Sequence, residues 1–206
     1  MTFSKRGQKT AEDLFEKYKE ISPLYYDGDM PREAWIRDKF SYHIPLLFVG
    51  ATGIAVRLIA PFVEDKLRDS AVIVMDQRGR HVIPLLSGHM GGANEVARNL
   101  ADRVGAEVIL TTATDVEDLF AVDVFARRNG FCICDRAGIR RISQRLLEGE
   151  KIRLAIDPAI TFFKEDLPEG LHLVEARDGN VDLWIGCNPL DQETDLQLIH
   201  KPYVLG

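Results

Sequence analysis

The 206-residue chain is short of cysteine, of excess positive charge and of uninterrupted apolar sequence. Three cysteines, Cys132, Cys134 and Cys187, do not make a disulfide framework. The N-terminal stretch MTFSKRGQKTAEDLF is polar and lacks the apolar core of a signal peptide. Both features point to a reducing, cytoplasmic setting. The longest apolar stretch, Ile44 to Val63, is interrupted by Pro45, Gly50, Thr52, Gly53, Arg57 and Pro61. It reads as a buried strand, a glycine turn and a helix rather than a membrane span. With 26 Lys and Arg against 32 Asp and Glu, the net charge is -6. Such a field does not attract nucleic acid, so an anionic ligand must be held by local groups.

Several catalytic and binding signatures are also missing. There is no G-x-S-x-G nucleophile elbow, no Walker phosphate loop and no G-x-G-x-x-G. His43, His81, His172 and His200 do not form a zinc pattern, and no protein metal site is expected. Cys132 and Cys134 alternate in an expected strand, as a thiol pair on one side of it rather than a metal site.

What is present is an alternation of strands and helices. Ala11, Leu14, Phe15 and Tyr18 fall on one helical face. Leu24–Tyr26 is a candidate short strand, and residues 32–42 a helix. Ile44–Val49 is a continuous apolar run, as in a strand covered on both faces. A helix follows from Gly53. Ala71–Met75 and His81–Leu85 flank Asp76-Gln77-Arg78-Gly79-Arg80, which reads as a hairpin with glycine at the turn. Beyond it lie a glycine-rich turn, a helix from Ala93 to Val104 and a strand at Glu107–Thr111.

This pattern predicts an α/β fold: an open, mostly parallel or mixed sheet with helices on both faces, over residues 1–115. Clustered short strands with a lone helix near Ile139–Leu147 then predict a smaller α+β domain over residues 116–206.

Four loops follow expected strands and open helices: residues 4–7, 50–53, 87–94 and 111–115. If the strands were parallel, these loops would gather at one sheet edge, where open α/β sheets bind ligands. Helix N-termini there offer free N–H groups to carboxylates or phosphates. The expected binding residues are Thr52, Gly53, Arg57, Ser87, Gly88, Gly91, Gly92, Asn94, Thr112 and Asp115. Thr52 and Ser87 suit either a ligand or a helix cap. The N–H groups of Gly91 and Gly92 are expected to be free. His89 is a candidate proton carrier or merely a polar loop residue. Glu95 is a candidate base or an ordinary first-turn acid. Thr114 and Glu117 fit a capping box.

The elements FVGATGIAVR, D-x-x-G-R, PLLSGHMGGANE and TTATD occur in this order between residues 48 and 115. Together they resemble the N-terminal domain of the anaerobic cobalamin-biosynthesis G family, the cobalt-precorrin-5A hydrolases. The segment after Asp115 resembles the family's central domain. The resemblance implies hydrolysis of a δ-lactone in cobalt-precorrin-5A and loss of ring carbon C20 with its methyl group as acetaldehyde. The substrate it implies is a polycarboxylate. On that reading its carboxylates and lactone carbonyl are expected on the loops at 50–53 and 87–94, with His89 or Glu95 as the candidate catalytic base. It implies no cofactor, because cobalt arrives within the substrate. The partners it implies are the cobalt-precorrin intermediate, a separate C-terminal domain and other enzymes of the pathway, with no nucleic acid and no membrane. The family's full first strand is shortened here to Thr2-Phe3-Ser4. Its C-terminal domain, opening L-G-I-G-C, is expected to be absent after Tyr203-Val204-Leu205-Gly206. A non-catalytic tetrapyrrole-binding subunit is the alternative.

Overall fold

The computed structural model describes residues 1–17, 22–65, 68–160 and 167–200. Tyr18 and Tyr203–Gly206, which entered the sequence reading, lie outside them. The chain divides into two compact units, Met1–Leu110 and Thr111–Gly206.

In the first unit, α1 (Lys5–Lys17) and α2 (Arg32–Ser41) precede β1 (Leu46–Val49). Then come α3 (Thr52–Ile59), β2 (Val72–Met75), β3 (His81–Leu86), α4 (Ala93–Val104) and β4 (Glu107–Val108). The sheet order is β1-β2-β3-β4. β1 and β2 are parallel, β2 and β3 antiparallel, and β3 and β4 parallel, so the sheet is mixed.

Strand periodicity sorts the apolar residues onto two faces. Leu46, Phe48, Val72 and Val74 pack with Trp35, Ile36 and Phe40 of α2 and Ala55 and Ile59 of α3. Val49, Ile73, Met75 and Val82 pack with Ala11 and Leu14 of α1 and Ala93, Ala97 and Leu100 of α4. Helices therefore cover both faces. Leu24–Tyr26 forms no strand, and Thr2–Ser4 supplies only an isolated parallel bridge from Thr2 to Val49.

The hairpin between β2 and β3 is organised by Asp76. Its carboxylate accepts the N–H groups of Arg78 and Arg80 at 2.8 Å and of His81 at 2.7 Å. Burial pushes this carboxyl up, but the three amides and the His81 ring outweigh it and hold it below its ordinary value. Gly79 takes φ +66° in the same turn.

The second unit contains α5 (Ala113–Val116), α6 (Val122–Arg128), β5 (Phe131–Ile133) and α7 (Arg136–Leu147). β6 (Ile152–Ile156), β7 (Leu171–Leu173), β8 (Leu183–Gly186) and β9 (Leu196–His200) follow. The sheet order is β5-β9-β8-β6-β7. Its core joins Val122 and Ala126 of α6, Ile142 and Leu146 of α7, and Leu154, Leu183, Ile185 and Leu198 of the sheet. Residues 111–115, read from sequence as the end of the first domain, go with this unit. The reason is local: α5 packs on α7, and the Leu119 N–H returns to the Thr114 carbonyl.

Asp182 ties three segments of this unit together. It is 5% exposed and accepts the Arg153 guanidinium at 2.7 and 2.9 Å and the Arg153 N–H at 2.8 Å. Arg145 lies 3.0 Å from it and 2.6 Å from Asp195. Burial alone would raise the Asp182 carboxyl. The hydrogen bonds from Arg153 and Arg145 prevail and hold it well below the usual carboxylate range. A depressed carboxylate stabilises the fold above its unfolded pKa, about 3.9. That contribution fades as pH falls from there towards the folded value. Asp182→Asn is expected to cost about 2 kcal/mol at neutral pH, given the partly exposed arginines. The loss should shrink below about pH 3. Urea unfolding of the full chain between pH 2 and 7 measures both, and equal midpoints at pH 7 would contradict the assignment.

Candidate functional site

The hairpin decides which loops share an edge. β1 and β2 end together, with Val49 opposite Met75. β3 begins beside them and runs back, so its last residue, Leu86, lies opposite Val72 at the start of β2. The 50–53 and 87–94 loops consequently occupy opposite edges of the sheet. The sequence expectation of one shared edge is thus overturned, because an antiparallel strand delivers its following loop to the other end. A four-residue strand separates the edges by about 13 Å, and helices cover both faces between them.

At the β1 exit, the N-cap of α3 is Ala51, so Thr52 is the first helical residue and not a cap. Gly53 is exposed, and Arg57 turns back to donate from Nη1 to the Gly53 carbonyl at 3.2 Å. Thr112 and Asp115 belong to the second unit. There Thr112, not Thr114, is the N-cap of α5, and it makes no side-chain cap bond. Thr114 lies inside the helix and is buried, so the expected capping box does not form.

The β3 exit brings Ser87, Gly88, His89, Gly91, Gly92, Asn94 and Glu95 together. The loop is laced by its own backbone: Gly92 N–H donates to the His89 carbonyl at 3.0 Å, Ala93 N–H to Ser87 at 3.1 Å and Asn94 N–H to Gly88 at 3.0 Å. The Gly92 amide is therefore engaged, contrary to the sequence expectation, because the chain curls back before α4 starts. Among the described residues, no carbonyl takes the Gly91 N–H. Gly91 is exposed, whereas Gly92 is buried, adopts φ +82° and serves as the N-cap of α4. A Cβ on Gly91 would collide with the Ser87 Cβ and come within 2.8 Å of the Ser87 carbonyl oxygen.

Ser87 itself is unusual. It adopts φ +56°, a conformation costing a non-glycine residue about 1–2 kcal/mol. It is buried, and its hydroxyl has no hydrogen-bond partner, which adds about 1–3 kcal/mol. Sequence reading singled out Ser87 as a ligand or cap residue but carried no signal of this strain. Asn94 is 4% exposed. His89 and Glu95 are half-buried, and both have interaction partners within the protein.

No three His, Cys, Asp or Glu side chains come together as a metal-binding set among the described residues. In the second unit, burial and then the neighbouring Cys132 push the exposed Cys134 thiol up, away from thiolate. No helix among the described residues is long and apolar enough to cross a membrane.

Residues 34–115, which contain the 50–53 and 87–94 loops, match the family model described as Cobalamin synthesis G N-terminal. The chain belongs to the cobalamin biosynthesis G family. It is 43% identical over 147 residues to the cobalt-precorrin-5A hydrolase of Salmonella typhimurium, covering 71% of this chain and 41% of that protein. It is 38% identical over 113 residues to the cobalt-precorrin-5A hydrolase of Priestia megaterium, covering 55% of this chain and 30% of that one. This member of the family thus spans less than half the length of these two curated relatives. A cobalamin biosynthesis protein G homolog from Sulfolobus solfataricus has a similar fold, with a TM-score of 0.60 at 23% identity. The similarity covers 97% of this chain and 58% of that one.

The left-handed Gly92 makes the turn intolerant of a β-branched residue. Gly92→Val is expected to destabilise the first unit by about 2 kcal/mol or more. Thermal unfolding of the full chain checks this, and an unchanged melting temperature would mean that the turn relaxes freely.

Proposed function

We propose that this chain is the N-terminal and central part of a cobalt-precorrin-5A hydrolase, with the Ser87–Glu95 turn as its substrate site. The observation that carries the reading is the 43% identity to the Salmonella enzyme, within a family whose model spans the turn. In this reading the lactone carbonyl faces the Gly91 N–H at the positive end of α4. Water adds to the carbonyl carbon and the acyl C–O bond breaks, leaving a carboxylate. The alkoxide freed on C20 then becomes a C=O as the C–C bond holding C20 to the macrocycle breaks. The electron pair of that bond passes into the macrocycle, and C20 departs with its methyl group as acetaldehyde. His89 or Glu95 takes the proton from water. Cobalt stays in the substrate, and the proposed chemistry asks for no cofactor or protein metal ligand.

Thr52, Gly53 and Arg57 drop out of this site, because the helix-covered sheet stands between them and the turn. The reading does not draw on Thr112 or Asp115. Its partners are the cobalt-precorrin intermediate and a polypeptide supplying the remainder of the relatives' length. A cytoplasmic setting fits such a pathway intermediate.

Acetaldehyde release from cobalt-precorrin-5A tests the proposal, using the chain alone and mixed with the remaining segment of the Salmonella relative. Release in either case supports hydrolysis. Binding of the intermediate without release in both cases would replace it with the alternative, a tetrapyrrole-binding subunit. In the active mixture, His89→Ala or Glu95→Gln should lower turnover about 100-fold or more at whichever residue transfers the proton. Full turnover in both variants would remove the proton-transfer assignment.

A further inference from the structure

A surface helix ordinarily turns its apolar stripe to the core and its charges outward. Helix α3 has apolar residues on both sides. Ala55 and Ile59 fill the core position. On the outer side Ile54 is 38% exposed and Val56 45%. Gly53, Ala60 and Pro61 are exposed beside them. Val63, just past the 3-10 turn Ala60–Phe62, is 43% exposed. Helical spacing sets the outer residues in two adjacent rows, Gly53-Val56-Ala60 and Ile54-Arg57-Pro61. An apolar ridge of this kind on a folded protein marks a surface that another molecule covers.

The charge on and beside the ridge is positive. Between Asp38 and Glu64 the sequence holds no acid. Arg57 lies within the ridge, where its guanidinium donates to the Gly53 carbonyl. At one end Arg37 stands over the Phe62 ring at 5.7 Å. At the other end Arg32 stands over the Phe3 ring at 5.8 Å, and Phe3 lies against Gly50. None of these three arginines forms an ion pair among the described residues. An isologous pairing of two copies across the ridge would repeat one surface on both sides and set Arg57 near Arg57. A partner that is apolar and carries carboxylates fits better. The chain spans 41% of the Salmonella relative, so that protein has further polypeptide to supply such a surface.

We propose that the outer side of α3 docks the polypeptide that supplies the remainder of the relatives' length. The docked surface is apolar and places carboxylates opposite Arg32, Arg37 and Arg57. This source rests on the reading of the chain as part of a longer hydrolase; the surface chemistry does not.

The test titrates the full chain and its variants Val56→Glu, Arg57→Glu and Leu173→Glu with the remaining segment of the Salmonella relative, read by calorimetry. Leu173, exposed on β7 of the second unit, is the control. The parent should bind, and added salt should weaken the complex. Val56→Glu should bind about 100-fold more weakly, because it buries an unpaired charge in an apolar contact. Arg57→Glu should lose about tenfold or more, because it sets like charges against one another. Leu173→Glu should bind like the parent. Urea unfolding compares the stability of each variant with the parent, and Arg57→Glu decides the matter if Val56→Glu unfolds early.

No complex with the parent, or parent-like affinity in both ridge variants, would overturn the proposal. So would self-association of the full chain that Val56→Glu abolishes, which would make a second copy the occupant. A ridge-dependent complex that releases no acetaldehyde from cobalt-precorrin-5A would keep the docking surface and discard the hydrolase reading. Acetaldehyde release that both ridge variants leave at the parent's level, with the segment limiting, would keep the hydrolase and discard the docking surface.

Discussion

The reversal of the chain at Asp76 governs the arrangement of the first unit. One carboxylate gathers the amides of Arg78, Arg80 and His81 in the turn that carries β3 back against β2. Had the connection been a crossover, β3 would run parallel to β2 and its exit loop would join the 50–53 loop. Instead, the glycine-rich turn stands at the opposite end of the sheet. Helices α1 and α4 cover one face of that sheet and α2 and α3 the other. The two edges are consequently separate chemical environments. One presents the N-termini of α1 and α3, and the other presents the N-terminus of α4.

Much of this architecture is legible in the residues. Leu46-Leu47-Phe48-Val49 and Val72-Ile73-Val74-Met75 are too uniformly apolar for any place but a doubly covered strand. Ala93, Ala97, Leu100 and Ala101 mark the buried stripe of α4, and Gly105 ends it in the left-handed conformation. The DQRGR hairpin is equally plain. Its directional consequence is harder to see, since each loop individually satisfies the strand-to-helix pattern that favours an active edge. Edge membership depends on the parity of strand reversals, which is a property of topology and not of any local motif.

The atomic character of the turn is still less visible. Glycines at 88, 91 and 92 announce unusual backbone, but they do not say which amides the loop uses for itself. Ser87, which like Gly92 bears positive φ in this turn, is of a type that rarely does so. The Asp182 cluster in the second unit leaves no sequence trace for a similar reason. Its partners Arg145, Arg153 and Asp195 are distributed over a helix, a strand and a loop. Only folding makes them neighbours.

The contact between Ser87 and Gly91 also restricts inheritance. A side chain at position 91 would meet both the Ser87 Cβ and, at 2.8 Å, the Ser87 carbonyl oxygen. Emptying position 87 relieves the first contact and leaves the second, which belongs to the backbone. Glycine at 91 is therefore demanded by the path of the turn, whatever residue stands at 87. Descendants that keep the turn keep the bare glycine.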